Sequence, residues 1–208
     1  MAPLTLVMAT RNPGKVRELQ ALLEDSGVVL LSLADYPHLP EIPEDGATFA
    51  ENAAAKALAV ARLTGVAALA DDSGLVVDAL GGAPGVFSAR YALDRTSPAT
   101  PTDADNWGKL LEELKDVPWS ERRARFVCEI ALALPDGRLF RARGECPGSI
   151  ALEPRGETGF GYDPVFWVPE YGATMAQLGP EIKNRISHRA RALAAFKNLL
   201  AALPEELS

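Results

Sequence analysis

Apolar positions along the chain alternate between short continuous runs and a helical period. Leu4 to Ala9 is dominated by apolar residues and predicts a short buried strand. Asn12-Pro13 then supplies an N-cap with proline at the first helical position, and Val16, Leu19, Leu22 and Leu23 recur on one helical face until Gly27. Val28 to Leu31 predicts a second strand. A loop rich in proline and acid follows, "DYPHLPEIPEDGA". Thr48-Phe49-Ala50-Glu51 is a capping box, and it opens an alanine-rich helix that runs to about Leu63 and stops at Gly65. Val66 to Ala70 predicts a strand leading into "DDSG", Leu75 to Leu80 another strand, and "GGAPG" a turn cluster. Asp103 to Lys115 has helical spacing. Arg125 to Leu134 and Arg138 to Glu145 flank "PDG" and predict a β-hairpin. "GETGFGYDP" is a glycine-rich loop before the short strand "VFW". Ser187 to about Leu203 is the closing helix, with Leu193, Phe196 and Leu200 on one side.

Strands and helices alternate first and a hairpin follows, which predicts an α/β fold: a mixed β-sheet flanked by helices. No repeat, low-complexity tract or linker divides the chain. The reading is therefore a single domain over residues 1–208, with the hairpin region at about 120–150 as a candidate second lobe. A cleft between lobes is a usual place for a small-molecule site.

Composition narrows the ligand. Hydrophobic residues make up 48% and charged residues 24%, ordinary values for a water-soluble fold with a real core. The formal net charge of −7 argues against a nucleic-acid polymer, which rewards broad basic surface, but not against a single nucleotide in a local basic pocket. Cys128 and Cys146 show no metal-type spacing and read as reduced thiols of a cytoplasmic protein. No secretory leader pattern is visible, and the longest apolar segment, Ala53 to Ala70, is interrupted by Lys56 and Arg62, so no membrane span is expected.

Four segments carry candidate chemistry. Thr10-Arg11-Asn12-Pro13-Gly14-Lys15 lies between a strand and a helix, where backbone N–H groups and the helix dipole favour an anion. It is not a P-loop: the first glycine is absent and Val16 follows the lysine. Lys15 sits where the dipole disfavours a cation, which makes sense under a polyanion. A plain strand-to-helix turn is the simpler alternative. Asp71-Asp72-Ser73-Gly74 sets two carboxylates at a strand end, where ligands bind in open α/β sheets, and strand alternation turns only one of them to a given face. Such a carboxylate can hold Mg²⁺ with substrate phosphates or deprotonate a water; a self-capped turn competes evenly. Gly159-Phe160-Gly161-Tyr162-Asp163-Pro164 offers close backbone approach and rings that can stack on a base, against a turn with two core aromatics. Lys183-Asn184-Arg185-Ile186-Ser187-His188-Arg189 puts His188 and Arg189 at a helix start behind Ser187. Asn52 and Lys56 share a helix face at i and i+4, pointing into a pocket or into water. This inventory fits a Mg²⁺–nucleoside triphosphate better than any other ligand class.

The blocks "ATRNPGKVREL", "TFAENAAAKA", "ADDSGLVVDALGGAPGVFSARYA", "GFGYDPVF" and "ISHRARAL" together resemble the Ham1/RdgB-type inosine and xanthosine triphosphate pyrophosphatases over nearly the whole chain. The resemblance implies an elongated α/β fold of two lobes with a cleft, a cytoplasmic homodimer, and Mg²⁺-dependent hydrolysis of non-standard purine triphosphates (ITP, dITP, XTP) to monophosphate and pyrophosphate. It assigns Asp72 as proton acceptor and metal-linked acid, and Glu44 as the second metal-linked acid. It gives Thr10, Arg11, Asn12, Pro13, Gly14 and Lys15 to the triphosphate and Ser73 and Lys183 to substrate contacts. The base falls to Phe160, Gly161, Tyr162 and Asp163 with His188 and Arg189. Arg11 stands where relatives often carry a small or polar residue, and Leu93 where glycine is frequent. The alternatives are a Maf-like pyrophosphatase of other modified nucleotides, which "SHR" and "GFGYDP" argue against, and a non-catalytic nucleotide-binding module.

Overall fold

The computed structural model describes residues 4–24 and 27–201, with side chains to residue 199. Its elements are β1 (Thr5–Met8), α1 (Pro13–Leu23), β2 (Val29–Ser32), α2 (Phe49–Thr64), β3 (Ala68–Val77), α3 (Leu93–Thr96), α4 (Asp103–Glu113), β4 (Arg123–Ala133), β5 (Leu139–Ile150), β6 (Phe166–Val168), β7 (Ala173–Thr174), α5 (Pro180–Ile186) and α6 (His188–Ala201). The strands form one mixed sheet in the order β2-β1-β3-β4-β5-β6-β7. β1 pairs in parallel with β2 and β3, while β6 pairs antiparallel with β5 and β7.

Two compact units divide the chain. The first takes residues up to Asp72, Cys128–Gly144 and the segment from Arg189; the second takes Ser73–Val127 and Glu145–His188. In the first unit the sheet is covered on both faces. Ala53, Ala57, Val60 and Ala61 of α2 pack on Val7, Ala68, Ala70, Ala131 and Ala133. The small side chains let the helix backbone approach the sheet closely. On the opposite face Leu23 of α1 and Ala192, Leu193 and Phe196 of α6 pack on Leu6, Leu69, Ile130 and Leu132. Val7 and Leu6, or Ala70 and Leu69, thus face opposite ways, as the period of a strand requires. The second unit has its own core, built from Leu75, Val77, Phe126, Ile150 and Phe166 with Leu110 and Leu114 at the α4 side.

The helix starts follow their sequence signals. Asn12 Oδ1 accepts from the N–H groups of Gly14 and Lys15, with Pro13 in the first turn of α1. Thr48 and Glu51 close the capping box of α2, and Gly65 ends that helix at φ 69°. The hairpin strands are longer than the pattern predicts. α5 is an addition: Ser187, read as a helix start, also closes α5 from an extended conformation, its N–H donating to the Lys183 carbonyl. The end of the closing helix near Leu203, and the Leu200 side chain, lie outside the described residues.

One expectation is corrected. "DDSG" is not a turn at a strand end; β3 runs unbroken from Ala68 to Val77 through both acids. A short 3₁₀ turn, Asp78–Leu80, replaces the end of the strand predicted to reach Leu80. Asp71 and Asp72 escape the usual exclusion of charge from a central strand because the helices on both faces supply cations.

Candidate functional site

Strand alternation splits the two acids. Asp71 follows Leu69 onto the face covered by α1 and α6. Its Oδ2 lies 3.2 Å from Lys15 Nζ and accepts from Arg189 Nε at 3.2 Å and Nη2 at 3.1 Å. Arg189 also pairs through Nη1 with Glu18, one helical turn beyond Lys15. Its guanidinium is fully enclosed, 1% exposed. Burial by itself would push the Asp71 carboxyl up, but Lys15, Arg189 and Lys56 overcome it and hold it well below the usual carboxylate range. The Arg189 guanidinium is disfavoured by its burial and more than restored by Asp71 and Glu18, so it stays charged.

Asp72 follows Ala70 onto the α2 face. Asn52 Nδ2 donates to its Oδ2 at 2.9 Å, and Lys56 Nζ stands 3.9 Å from its Oδ1. The same ammonium donates to Glu44 and, at 2.8 Å, to the Asp71 carbonyl. Asp72 differs from its neighbour in sign: burial raises its carboxyl above the ordinary 3.8, and Lys56, Lys15 and the Asn52 hydrogen bond only partly reverse this. A raised carboxyl is a stronger proton acceptor than a free aspartate. Glu44 reaches Lys56 while Glu41 is exposed. Two carboxylates sharing one cation are hard oxygen donors of the number Mg²⁺ takes from a protein beside substrate phosphates. Among the described residues no group of three or more metal-ligating side chains forms, so any ion here needs further oxygens.

The turn before α1 is built from its own side chains. Thr10 Oγ1 accepts from the Asn12 N–H at 3.2 Å, and Arg11 Nη2 donates to the Leu39 carbonyl at 3.0 Å. Asn12 already occupies the Gly14 and Lys15 N–H groups. The positive charge of this turn is therefore Lys15, carried on Asp71, rather than a row of open amides. Ser73, next along β3, is half-buried.

In the second unit the loop after Gly159 folds around Asp163. Its Oδ2 accepts from the Phe160 N–H at 3.0 Å and from Lys183 Nζ at 2.5 Å. Lys183 Nζ also lies 4.6 Å from the Phe160 ring centroid, a cation–π arrangement. Tyr162 belongs to the core, its hydroxyl donating to the Ser88 carbonyl at 2.8 Å. Phe160 is the half-buried ring of the loop. The Gly161 N–H donates to Asp103 at 2.6 Å. His188 is stacked on Phe126 with centroids 4.7 Å apart.

The structure thus brings Lys15, Glu44, Asp71, Asp72 and Arg189 together in the first unit, and Phe160, Asp163, Lys183 and His188 in the second. His188 and Arg189 are neighbours in sequence but serve different groups. Sequence reasoning noticed Asn52 and Lys56 without giving them a role, and it missed Glu18. The signal for the first pair was present: a capping box fixes where α2 starts, and i and i+4 from there are one face.

The sequence profile of the Ham1 family matches residues 6–199. The chain belongs to the Ham1 family. It is 55% identical over 195 residues to the dITP/XTP pyrophosphatase of Geobacter sulfurreducens, covering 94% of this chain and 96% of that one. It is also 55% identical over 188 residues to the dITP/XTP pyrophosphatase of Geobacillus kaustophilus, covering 90% of both. Among solved structures, a HAM1 protein from Coxiella burnetii superposes with a TM-score of 0.85 at 44% identity, covering 96% of this chain and 99% of that one. Such agreement makes the α/β architecture that of Ham1 proteins. No helix among the described residues is long and apolar enough to cross a membrane.

Proposed function

We propose that this chain hydrolyses non-standard purine nucleoside triphosphates (ITP, dITP and XTP) to the nucleoside monophosphate and pyrophosphate. The observation that carries the chemistry is Asp72: a buried carboxylate, raised above its ordinary value and held at a fixed angle by Asn52, beside the buried Lys56 and next along the strand from Asp71, which pairs with the half-buried Lys15. Family membership and relatives named dITP/XTP pyrophosphatases support the substrate class.

In this reading Lys15 binds the phosphate tail from the Thr10–Lys15 turn, and Asp71 with Arg189 holds its ammonium in place. Asp72 orients the attacking water and accepts its proton as the water attacks the α-phosphorus; pyrophosphate leaves. Phosphoryl transfer depends mainly on such positioning and on neutralised charge. Glu44 and Asp72 would hold Mg²⁺ together with phosphate oxygens, and the ion, when bound, neutralises phosphate charge. Lys56 keeps the two acids together in its absence.

The Phe160 ring supplies a stacking face for the base. Lys183, fixed by Asp163, is a donor only. A 6-oxo purine offers it a further acceptor, whereas the 6-amino group of adenine would set donor against donor, and such a mismatch at a desolvated site discriminates strongly. The corresponding assembly is a homodimer in the cytoplasm; sedimentation at the monomer mass or fractionation with the cell envelope would contradict it. The functional test is a panel of nucleotides with Mg²⁺ and separation of products. Diphosphate plus orthophosphate would sink the pyrophosphatase reading, and binding of ITP with no turnover would favour a non-catalytic module.

A further inference from the structure

Asn52 is 2% exposed and sits in the first turns of α2, a charged and polar helix face otherwise given to Lys56. An asparagine amide has two edges of the same shape, one donating and one accepting. Here the surroundings decide which edge faces which way. The Gly46 N–H, 2.8 Å away, can be met only by the Asn52 carbonyl oxygen. That turns the Nδ2 edge towards Asp72, where it donates to Oδ2 at 2.9 Å. Gly46 leaves no slack in this arrangement: a Cβ there would lie 2.7 Å from Asn52 Oδ1 and 2.8 Å from Glu51 Cβ. Glu51 is itself tied to the Ala47 and Thr48 N–H groups at 2.8 and 3.2 Å. Capping box, Gly46 and Asn52 therefore form one rigid chain of contacts that ends on a carboxylate oxygen.

From this geometry we infer that Asn52 is a positioning residue for the reaction, fixing the rotation of the Asp72 carboxylate through a donor edge that Gly46 prevents from flipping. The inference rests on the reading of Asp72 as the water-activating acid. A carboxylate free to rotate about its last torsion presents the attacking water with a range of angles. One held at Oδ2 presents a single orientation, and small misplacements of a reacting group are costly in rate. The same amide couples Asp72 to the loop that carries Glu44 two residues before Gly46, so the two acids are referred to one helix turn.

The test is steady-state kinetics on Asn52→Ala with ITP and Mg²⁺, beside nucleotide binding measured without metal and the melting temperature. Losing one hydrogen bond to a charged group predicts a kcat lower by roughly 10- to 100-fold, with KM and metal-free nucleotide binding changed less than about threefold. Gly46→Ala, which pushes on the Asn52 oxygen while leaving both Asn52 and Asp72 in the chain, predicts the same split with a smaller fall and stands in if Asn52→Ala does not fold. A purely structural anchor for the Glu44 loop would instead raise KM and restore wild-type kcat at saturation, and that result overturns the inference. Asp72→Asn separates the two readings. If it retains turnover, the Asp72 assignment fails; if it is inactive while Asn52→Ala keeps wild-type kcat, only the role of Asn52 fails.

Discussion

Gly159 makes the closest demand on sequence in the second unit. Its φ is +86°, and an added Cβ would lie 2.0 Å from Asp163 Oδ2 and 2.9 Å from its Cγ. Gly159→Ala therefore does two things. It forces an L-residue into the left-handed region, at about 1–2 kcal/mol. It also pushes the Asp163 carboxylate away from the Phe160 N–H or from Lys183 Nζ, and losing one of these two charge-assisted hydrogen bonds costs about 1.5–3 kcal/mol. The sum, roughly 3–5 kcal/mol, is a large share of a typical 5–15 kcal/mol stability. At about 2–4 °C per kcal/mol for a chain of this size, the melting temperature should fall by roughly 6–20 °C. Gly161→Ala is the control: φ is +64°, but nothing lies within 4 Å of its Cβ. Only the backbone cost of about 1–2 kcal/mol remains, so its melting temperature should fall by roughly 2–8 °C. Calorimetry on the two variants isolates the displaced carboxylate. Equal melting temperatures would refute the reasoning, because the difference between them rests on Asp163 alone.

Other outcomes follow from the buried charges. The folded-state carboxyl of Asp71 lies below its ordinary 3.8, so its stabilisation is present above that value and is lost as pH falls below it. Asp71→Asn should accordingly melt earlier at neutral pH, by an amount corresponding to about 3 kcal/mol, and should show a shallower fall in melting temperature on acidification than wild type; parallel curves would contradict this. The shift at Asp72 has the opposite sign: the folded state holds an ionised carboxylate at a cost above its raised value, and the cost disappears on acidification. Asp72→Asn should lose turnover yet melt no lower than wild type at neutral pH. Burial pushes the Cys128 thiol up to about 12, and Cys146 is also buried, so neither should react with a disulfide reagent at mildly alkaline pH until the chain is unfolded. Fast native labelling of either thiol would contradict that burial.

Local signals were legible because their cause is local. Asn12-Pro13, Thr48 with Glu51, and Gly65 appear in the structure as the caps their residue types predict. The α/β architecture followed from alternation. What the sequence concealed was decided by contacts distant along the chain. "DDSG" carries every mark of a turn, yet β3 runs straight through it, since Lys15 from α1, Lys56 from α2 and Arg189 from α6 make two buried acids tolerable. Those three cations are separated from the acids by as many as 118 positions, beyond the reach of any pattern. The alternation rule correctly sent the two acids to opposite faces. It could not show that each face would present its own polar partner, or that Arg189 would leave His188 and join Asp71. Asn52 was hidden for a different reason: an asparagine on an alanine-rich helix looks like a solvated position until the Gly46 N–H is known to be 2.8 Å away.

The most direct measurement of the central claim is the product analysis of ITP hydrolysis with Mg²⁺ by wild type and Asp72→Asn in parallel. The account predicts IMP and pyrophosphate in equal amounts from wild type, and bound but unhydrolysed ITP from the variant. Turnover by Asp72→Asn at the wild-type rate, or release of IDP and orthophosphate by either protein, would contradict it.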